Sequence, residues 1–355
     1  MPGSRTHDKA DDPATDVLVA ILADIAAGAA PLVAGQTRAS LGAALTVGGG
    51  VPHLWTRRVD VDFEAAPWPP NRPFTSAFVR MPKSKEELDF LLDAVASVLL
   101  PGAPIVLFGA NDEGIRSAGA RLEPFVDDVA TLATKRHCRV LVGPRRRTID
   151  GLRGSLAHWR QTISIDLADG TRPWITYPGL FARGRLDEGT RMLIERLPPL
   201  APAARVLDYA SGTGIIAAAV MQRLPEAGVD LVDNDTLAIE AARENVPSAR
   251  AIAGERLRSV GGSKYAAILS NPPIHDGIAE NLTVLSRLLQ EAPSHLEPGG
   301  VLQIVILRRI KVRPLLEAVF STVESIADDG RFTVWRCRGR SPQRKLKPPS
   351  RPSRP

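Results

Sequence analysis

Seven consecutive residues, Asn271-Pro272-Pro273-Ile274-His275-Asp276-Gly277, hold the groups best suited to chemistry in this 355-residue chain. They follow the apolar run Ala266-Ala267-Ile268-Leu269-Ser270, which its pattern predicts to be a β-strand. In open α/β sheets ligands bind just beyond the carboxyl ends of the strands. An Asn followed by Pro at such a place suits the methylation of a planar amine. The nitrogen of that amine is a weak nucleophile, because its lone pair is delocalised. A site that accepts both of its N–H hydrogens pulls it toward tetrahedral geometry and aims the lone pair. The Asn271 side-chain oxygen and the Pro272 carbonyl are the two acceptors. Pro272 confines Asn271 to extended conformations, and the two prolines fix φ and add no competing N–H. Taken alone, Asn-Pro-Pro reads equally well as a turn that ends a strand. The choice rests on whether a cofactor site lies upstream.

One does. Residues 204–219 read as strand, glycine turn and helix, with Asp208 at the end of the strand and Gly212 and Gly214 letting backbone approach a ligand. Val229-Asp230-Leu231-Val232-Asp233 is a second strand ending in a carboxylate, placed to take two ribose hydroxyls. Gly212-x-Gly214-x-x-Ala217 with Asp233 also satisfies the dinucleotide fingerprint. Against that reading, Asp208 stands where dinucleotide sites carry an apolar residue, and no nicotinamide chemistry accounts for Asn-Pro-Pro. S-adenosyl-L-methionine accounts for both, since its methionyl ammonium calls for a carboxylate.

Residues 178–338 resemble the bacterial 16S ribosomal RNA guanine-N2 methyltransferases (RsmC type). The matching segments are Pro178 to Thr190, the glycine turn, Ser270-Asn271-Pro272-Pro273-Ile274-His275-Asp276-Gly277 and Gly330 to Trp335. The first half matches the family's N-terminal domain at Gly109 to Ser117 and at Lys135 to Cys138. The resemblance implies an α/β protein of two Rossmann-like methyltransferase domains in tandem, the N-terminal one degenerate and the C-terminal one catalytic. It implies that Asp208, Gly212 and Gly214 line the methionyl part of the cofactor, Asp233 holds its ribose, and Glu255 lies near its adenine. Asn271 and Pro272 would grip the target amine, with Asn271 also beside the cofactor, while Pro273, Ile274, His275, Asp276 and Gly277 shape the substrate loop. Asp187 and Thr190 read as helix-start residues, and the resemblance brings their segment over the active site.

The implied activity is S-adenosyl-L-methionine-dependent methylation of a guanine N2 in ribosomal RNA of the small subunit, by a cytoplasmic monomer that needs no metal. Three departures stand out. The family usually has Gly where Ala210 stands. It has an aromatic residue to stack on the extruded base where Ile274 stands, a contact worth roughly 1–3 kcal/mol. It often has an acid where Ala266 stands. Two alternatives follow: an enzyme acting on adenine N6 or a protein glutamine, or an RNA-binding ribosome-assembly factor whose catalysis has decayed.

Composition is consistent with two domains. The two cysteines, Cys138 and Cys337, have neither disulfide-framework nor zinc spacing. Residues 17–35 are apolar, but Asp16, Asp24 and Pro31 favour a buried Ala-rich helix over a membrane or signal segment. Eight Lys or Arg and no acid lie between Arg336 and Pro355, so removing them from the formal +6 leaves −2 for the body. That Pro- and Ser-rich tail reads as unfolded, and either as a phosphate-seeking arm or as a solvated terminus. Arg145-Arg146-Arg147 is a second basic cluster, suited to RNA backbone or to an exposed loop.

An internal repeat at an offset of one hundred aligns Val106 to Ala118 with Val206 to Ala218, six of thirteen positions being identical. In that alignment Asp208 corresponds to Phe108 and Gly212 to Asp112, as in a domain that no longer binds cofactor. The expected divisions are a flexible N-terminus at 1–16, a degenerate, RNA-positioning domain at 17–167, a catalytic domain at 168–337, and the basic tail at 338–355. Ser84, with Glu87 three residues on, predicts the start of a helix running to Leu100.

Overall fold

The structure, a computed structural model, describes residues 12–35, 39–59, 64–180, 186–272 and 278–341, with backbone only for 278–283. The chain divides into two compact units. The first is built mainly from residues up to Gln161, and the second mainly from Thr162 onward.

In the first unit, β1 (Pro31–Ala34), β2 (His53–Thr56), β3 (Glu64–Ala65), β4 (Ser76–Arg80), β5 (Pro104–Ala110), β6 (Ala130–Lys135) and β7 (Cys138–Pro144) form one sheet. Its order is β3-β2-β1-β4-β5-β7-β6, with β7 antiparallel to both β5 and β6 and the other neighbours parallel. Ile105, Val106, Leu107 and Phe108 on β5 are all fully buried, as expected of a strand covered on both faces. The helix Lys85–Val98 starts where the sequence predicts, with the Ser84 side chain accepting the Glu87 N–H at 3.4 Å.

In the second unit, β8 (Gln161–Leu167) and β9 (Gly170–Thr176) form a two-stranded sheet. A seven-stranded sheet comprises β10 (Arg205–Tyr209), β11 (Gly228–Asp233), β12 (Arg250–Ala253), β13 (Tyr265–Ser270), β14 (Leu296–Leu307), β15 (Phe320–Asp328) and β16 (Phe332–Arg340). Its order is β12-β11-β10-β13-β14-β16-β15. Counted within each sheet, the two large sheets share one strand order. The direction of winding reverses between β10 and β13, which is where an open α/β sheet binds its ligand.

The shared order changes the internal repeat. Val106 lies on β5, whose position in its sheet is that of β14; the counterpart of β10 is β1. Phe108 therefore does not correspond to Asp208. An apolar strand followed by a glycine turn recurs at several places in such folds, and the sequence match fell on the wrong pair. The register supplies the right one. Val79 of β4 pairs with Ala34, and Leu269 of β13 pairs with Asp208. Val79-Arg80-Met81-Pro82 then lies over Leu269-Ser270-Asn271-Pro272, so Ala34 stands at the place of Asp208 and Met81 at the place of Asn271.

Other expectations shift at element ends. Residues 17–35 are not one helix. The helix is Pro13–Ala20, entered through Asp12, which accepts the Thr15 N–H, and helped by a proline in its first turn. Gly28 at φ +69 and Pro31 then lead into β1. Residues 12–16 are thus ordered rather than part of a flexible N-terminus. The division between the units falls at 161/162 rather than 167/168, because Ile165, Leu167 and Trp174 of the small hairpin are buried in the second unit's core. At the other end β16 runs to Arg340, held by β14 and β15, so 338–340 belong to the sheet; residues 342–355 of the basic tail lie outside the described residues. Arg145 and Arg146 are half-buried and bind main-chain carbonyls (Arg145 Nε to Ala96 O 2.8 Å, Arg146 Nε to Val126 O 2.7 Å). Only Arg147 of that cluster is exposed. Among the described residues no helix is long and apolar enough to cross a membrane, and no group of three or more His, Cys, Asp or Glu could hold a metal ion.

Candidate active site

The glycine turn after β10 is bolted in place from three sides. Trp174 Nε1 donates to Thr213 Oγ1 at 2.9 Å. Asn245 Nδ2 donates to Thr213 O at 3.1 Å and to Ile175 O at 2.9 Å, and its Oδ1 accepts the Ile175 N–H at 2.7 Å. Gly214, at φ +90, packs so closely that a Cβ would stand 3.0 Å from Val246 Cγ2. Gly212, at φ +53, faces open space: a Cβ there would meet no atom within 4 Å. One glycine serves close packing and the other leaves backbone accessible.

Asp208 is fully buried below this turn. Its Oδ2 accepts the Ala217 N–H at 3.1 Å, whereas its Oδ1 has no hydrogen-bond partner. Burial pushes the carboxyl up to about 8; the Ala217 N–H works against this, and the nearby Asp233 carboxylate adds to it. The Ser211 hydroxyl is likewise buried without a partner. Asp233, at the end of β11, accepts the Gly212 N–H at 2.8 Å, joining the second strand to the turn. Glu255 pairs with Arg287, and its carbonyl accepts the Tyr209 hydroxyl at 2.9 Å. A buried acceptor lacking a donor, an open glycine backbone and a strand-end carboxylate fit a ligand that carries an ammonium and a ribose. Those are the groups S-adenosyl-L-methionine requires.

Asn271 and the buried Pro272 follow β13, directly beside β10. The Ser270 hydroxyl donates to Tyr209 O at 2.6 Å and ties the two strand ends together. The Asn271 amide nitrogen donates to Asp187 Oδ2 at 3.1 Å and to Thr190 Oγ1 at 2.8 Å. The structure thus brings Asp208, Gly212, Gly214, Asp233, Asn271 and Pro272 to one sheet end, with Glu255 just beyond β12. Pro273, Ile274, His275, Asp276 and Gly277, expected to shape the substrate loop, lie outside the described residues. Sequence reasoning missed Trp174, Thr213 and Asn245, which carry no motif and act only through partners distant in the chain.

In the first unit the corresponding place is filled by its own side chains. Arg80, at the register of Ser270, holds Glu113 with a bidentate pair (2.6 and 2.8 Å) and Asp12 at 3.2 Å. Ala34 and Met81 supply neither the carboxylate nor the amide of the second unit.

Comparison with known proteins gives a consistent answer. The methyltransferase small domain matches residues 173–336, and the methyltransferase small domain N-terminal region matches residues 55–152. Ribosomal RNA small subunit methyltransferase C of Stutzerimonas stutzeri (strain A1501) is 32% identical over 277 residues, covering 76% of this chain and 80% of that protein. The protein of the same name from Ectopseudomonas mendocina (strain ymp) is 34% identical over 278 residues, covering 76% and 81%. Among solved structures, the T. thermophilus 16S rRNA N2 methyltransferase (RsmC) in complex with AdoMet and guanosine superposes with a TM-score of 0.80. It covers 96% of this chain and 94% of its own at 18% identity, a likeness of fold.

Proposed function

The chain belongs to the methyltransferase small domain family, among the ribosomal RNA small subunit methyltransferase C proteins, and from that premise we propose that it methylates the exocyclic N2 of a guanine in 16S ribosomal RNA. One observation carries the reading. β10 and β13 are neighbours, and their ends present a buried carboxyl with an unpartnered oxygen beside an Asn-Pro whose amide nitrogen is already engaged as a donor. The first suits a cationic cofactor and the second an amine.

S-adenosyl-L-methionine, when bound, supplies an electrophilic methyl group. Asp208 supplies the lone pair its ammonium calls for, Gly212 the open backbone, Asp233 a ribose acceptor, and Glu255 lies toward the adenine. Asn271 Oδ1 and the Pro272 carbonyl accept the two N–H hydrogens of the target amine. The amine then loses its conjugation with the ring and its lone pair is directed at the methyl. The proton leaves after transfer, when the nitrogen is cationic and acidic, so no strong base is required. Reaching the amine calls for a base taken out of its stack, and residues 273–277 shape the place it enters, with His275 in that role rather than as a base. The first unit positions RNA, and the protein works in the cytoplasm as a monomer.

Transfer of labelled methyl to naked ribosomal RNA and to unmodified small subunits tests this, read by nucleoside mass spectrometry with Asn271→Ala as control. N2-methylguanosine that disappears in the variant is the expected result. Label appearing in adenine or in protein would replace the acceptor, and no label on any acceptor would overturn the assignment.

A further inference from the structure

An asparagine amide can turn over with almost no change of shape, exchanging its acceptor for its two donors. The mechanism above works in one orientation only, because an amine N–H must meet oxygen. The choice is made at the start of the helix Glu188–Glu195, whose N-cap is Asp187. Asp187 Oδ1 accepts the backbone N–H groups of Gly189 (2.9 Å) and Thr190 (3.2 Å). Its Oδ2 accepts the Thr190 hydroxyl (2.5 Å) and an Asn271 N–H (3.1 Å). Four donors converge on one carboxylate, which offers only acceptors.

Every direction in this network follows from that. Thr190 gives its single hydroxyl hydrogen to Asp187, so toward Asn271, 2.8 Å away, it can only accept. A turned amide would set its oxygen against a carboxylate oxygen and a lone pair. Such unpaired acceptors in a half-buried place cost about 1–3 kcal/mol each.

We propose that Asp187, with Thr190 as its relay, is a positioning residue that locks Asn271 with Oδ1 toward the substrate. The inference rests on the amine-methyltransferase reading of this site. It adds a rule of selection: the locked amide admits a hydrogen-bond donor and refuses a base edge that presents a carbonyl or a bare ring nitrogen there. The helix cap and the substrate acceptor are then one device, joined across 84 residues of chain.

The discriminating variant is Asp187→Asn. Asparagine caps helices about as well as aspartate, so the helix start is kept while the acceptor-only character is lost. Thr190→Val removes the relay at nearly constant volume. Both are expected to lower kcat for methyl transfer by about 10-fold to 100-fold, the scale of a misplaced reacting group. KM for RNA, cofactor affinity by calorimetry and the melting temperature should stay near those of the unaltered protein. With selective asparagine labelling, the Asn271 side-chain amide hydrogens should exchange slowly in the unaltered protein and quickly in Asp187→Asn. Full kcat in Asp187→Asn, with Asn271→Ala inactive, would overturn the proposal. So would a loss of kcat matched by equal losses of cofactor affinity and melting temperature, which marks a merely structural role. Should the unaltered protein methylate no RNA, the functional reading fails separately, and unchanged amide exchange in Asp187→Asn would overturn the locked orientation by itself.

Discussion

Ala210 is the residue of the glycine turn whose backbone is visibly strained. It sits at φ 55, a left-handed conformation that a Cβ disfavours by roughly 1–2 kcal/mol. Ala210→Gly is expected to stabilise the fold by about 1 kcal/mol, read as a higher urea midpoint at constant slope, once the greater freedom of glycine in the unfolded chain is subtracted. A lower midpoint would show that the turn holds alanine without strain. Asp208 gives a second prediction, in pH. Its carboxyl is raised from an ordinary 3.8 to about 8 by burial, so between those values the folded state binds more protons than the unfolded one. The stability it contributes is full below about pH 4 and is lost as pH rises toward 8, by at most about 1.4 kcal/mol per unit. Without added cofactor, urea midpoints measured at pH 5 and pH 8 should fall more steeply in the unaltered protein than in Asp208→Asn. Parallel falls would place the titrating group elsewhere. Asp208, Gly212, Gly214, Asp233 and Asn271 could be picked out from sequence, because strand-end acids, glycine turns and Asn-Pro are local signals. The left-handed strain at Ala210 could not, since φ depends on how the whole turn is closed.

The elements that hold the turn were less legible than the turn itself. The hairpin of β8 and β9 read as the boundary between domains, yet it supplies Trp174 and the Ile175 backbone, and the helix Thr236–Asn245 supplies the amide that joins them. No spacing announces these contacts, because Ile175 and Asn245 are 70 residues apart. Asn245→Ala removes three hydrogen bonds at once and leaves backbone groups of the buried Ile175 and Thr213 without these partners. A loss of about 2 kcal/mol in folding stability is expected, with weaker cofactor binding, since the backbone of the turn is then free to move. Calorimetry and urea unfolding measure both. Stability lost with cofactor affinity unchanged would mean that the turn is rigid without this brace. Where a signal was local, as with Ser84 capping the helix Lys85–Val98, sequence and structure agree.

At the scale of the molecule, two units share one strand order but not one chemistry, and the register shows why. Sequence alone suggested a repeat and a silent first copy, but attached it to β5, because an apolar strand before glycine resembles any other. With β1 as the counterpart of β10, the silence has a specific cause. Ala34 replaces the carboxyl, Met81 replaces the amide, and the Arg80 guanidinium occupies the strand end, where Glu113 and Asp12 neutralise it. Partnering also holds the Asp12 carboxyl below its ordinary range, with the Thr15 and Arg80 contacts outweighing its burial. Such a cluster resists opening, because separating its members strands charge in a half-buried place. The protein should therefore bind S-adenosyl-L-methionine once per chain, all of it at the second unit. Calorimetric titration should give a stoichiometry near one in the unaltered protein, with binding weakened throughout by Asp233→Ala. Opening the first unit's cluster with Arg80→Ala should add no second site, since neither Ala34 nor Met81 offers what the ligand needs. A stoichiometry of two would show that the first unit binds cofactor by groups other than those the second unit uses.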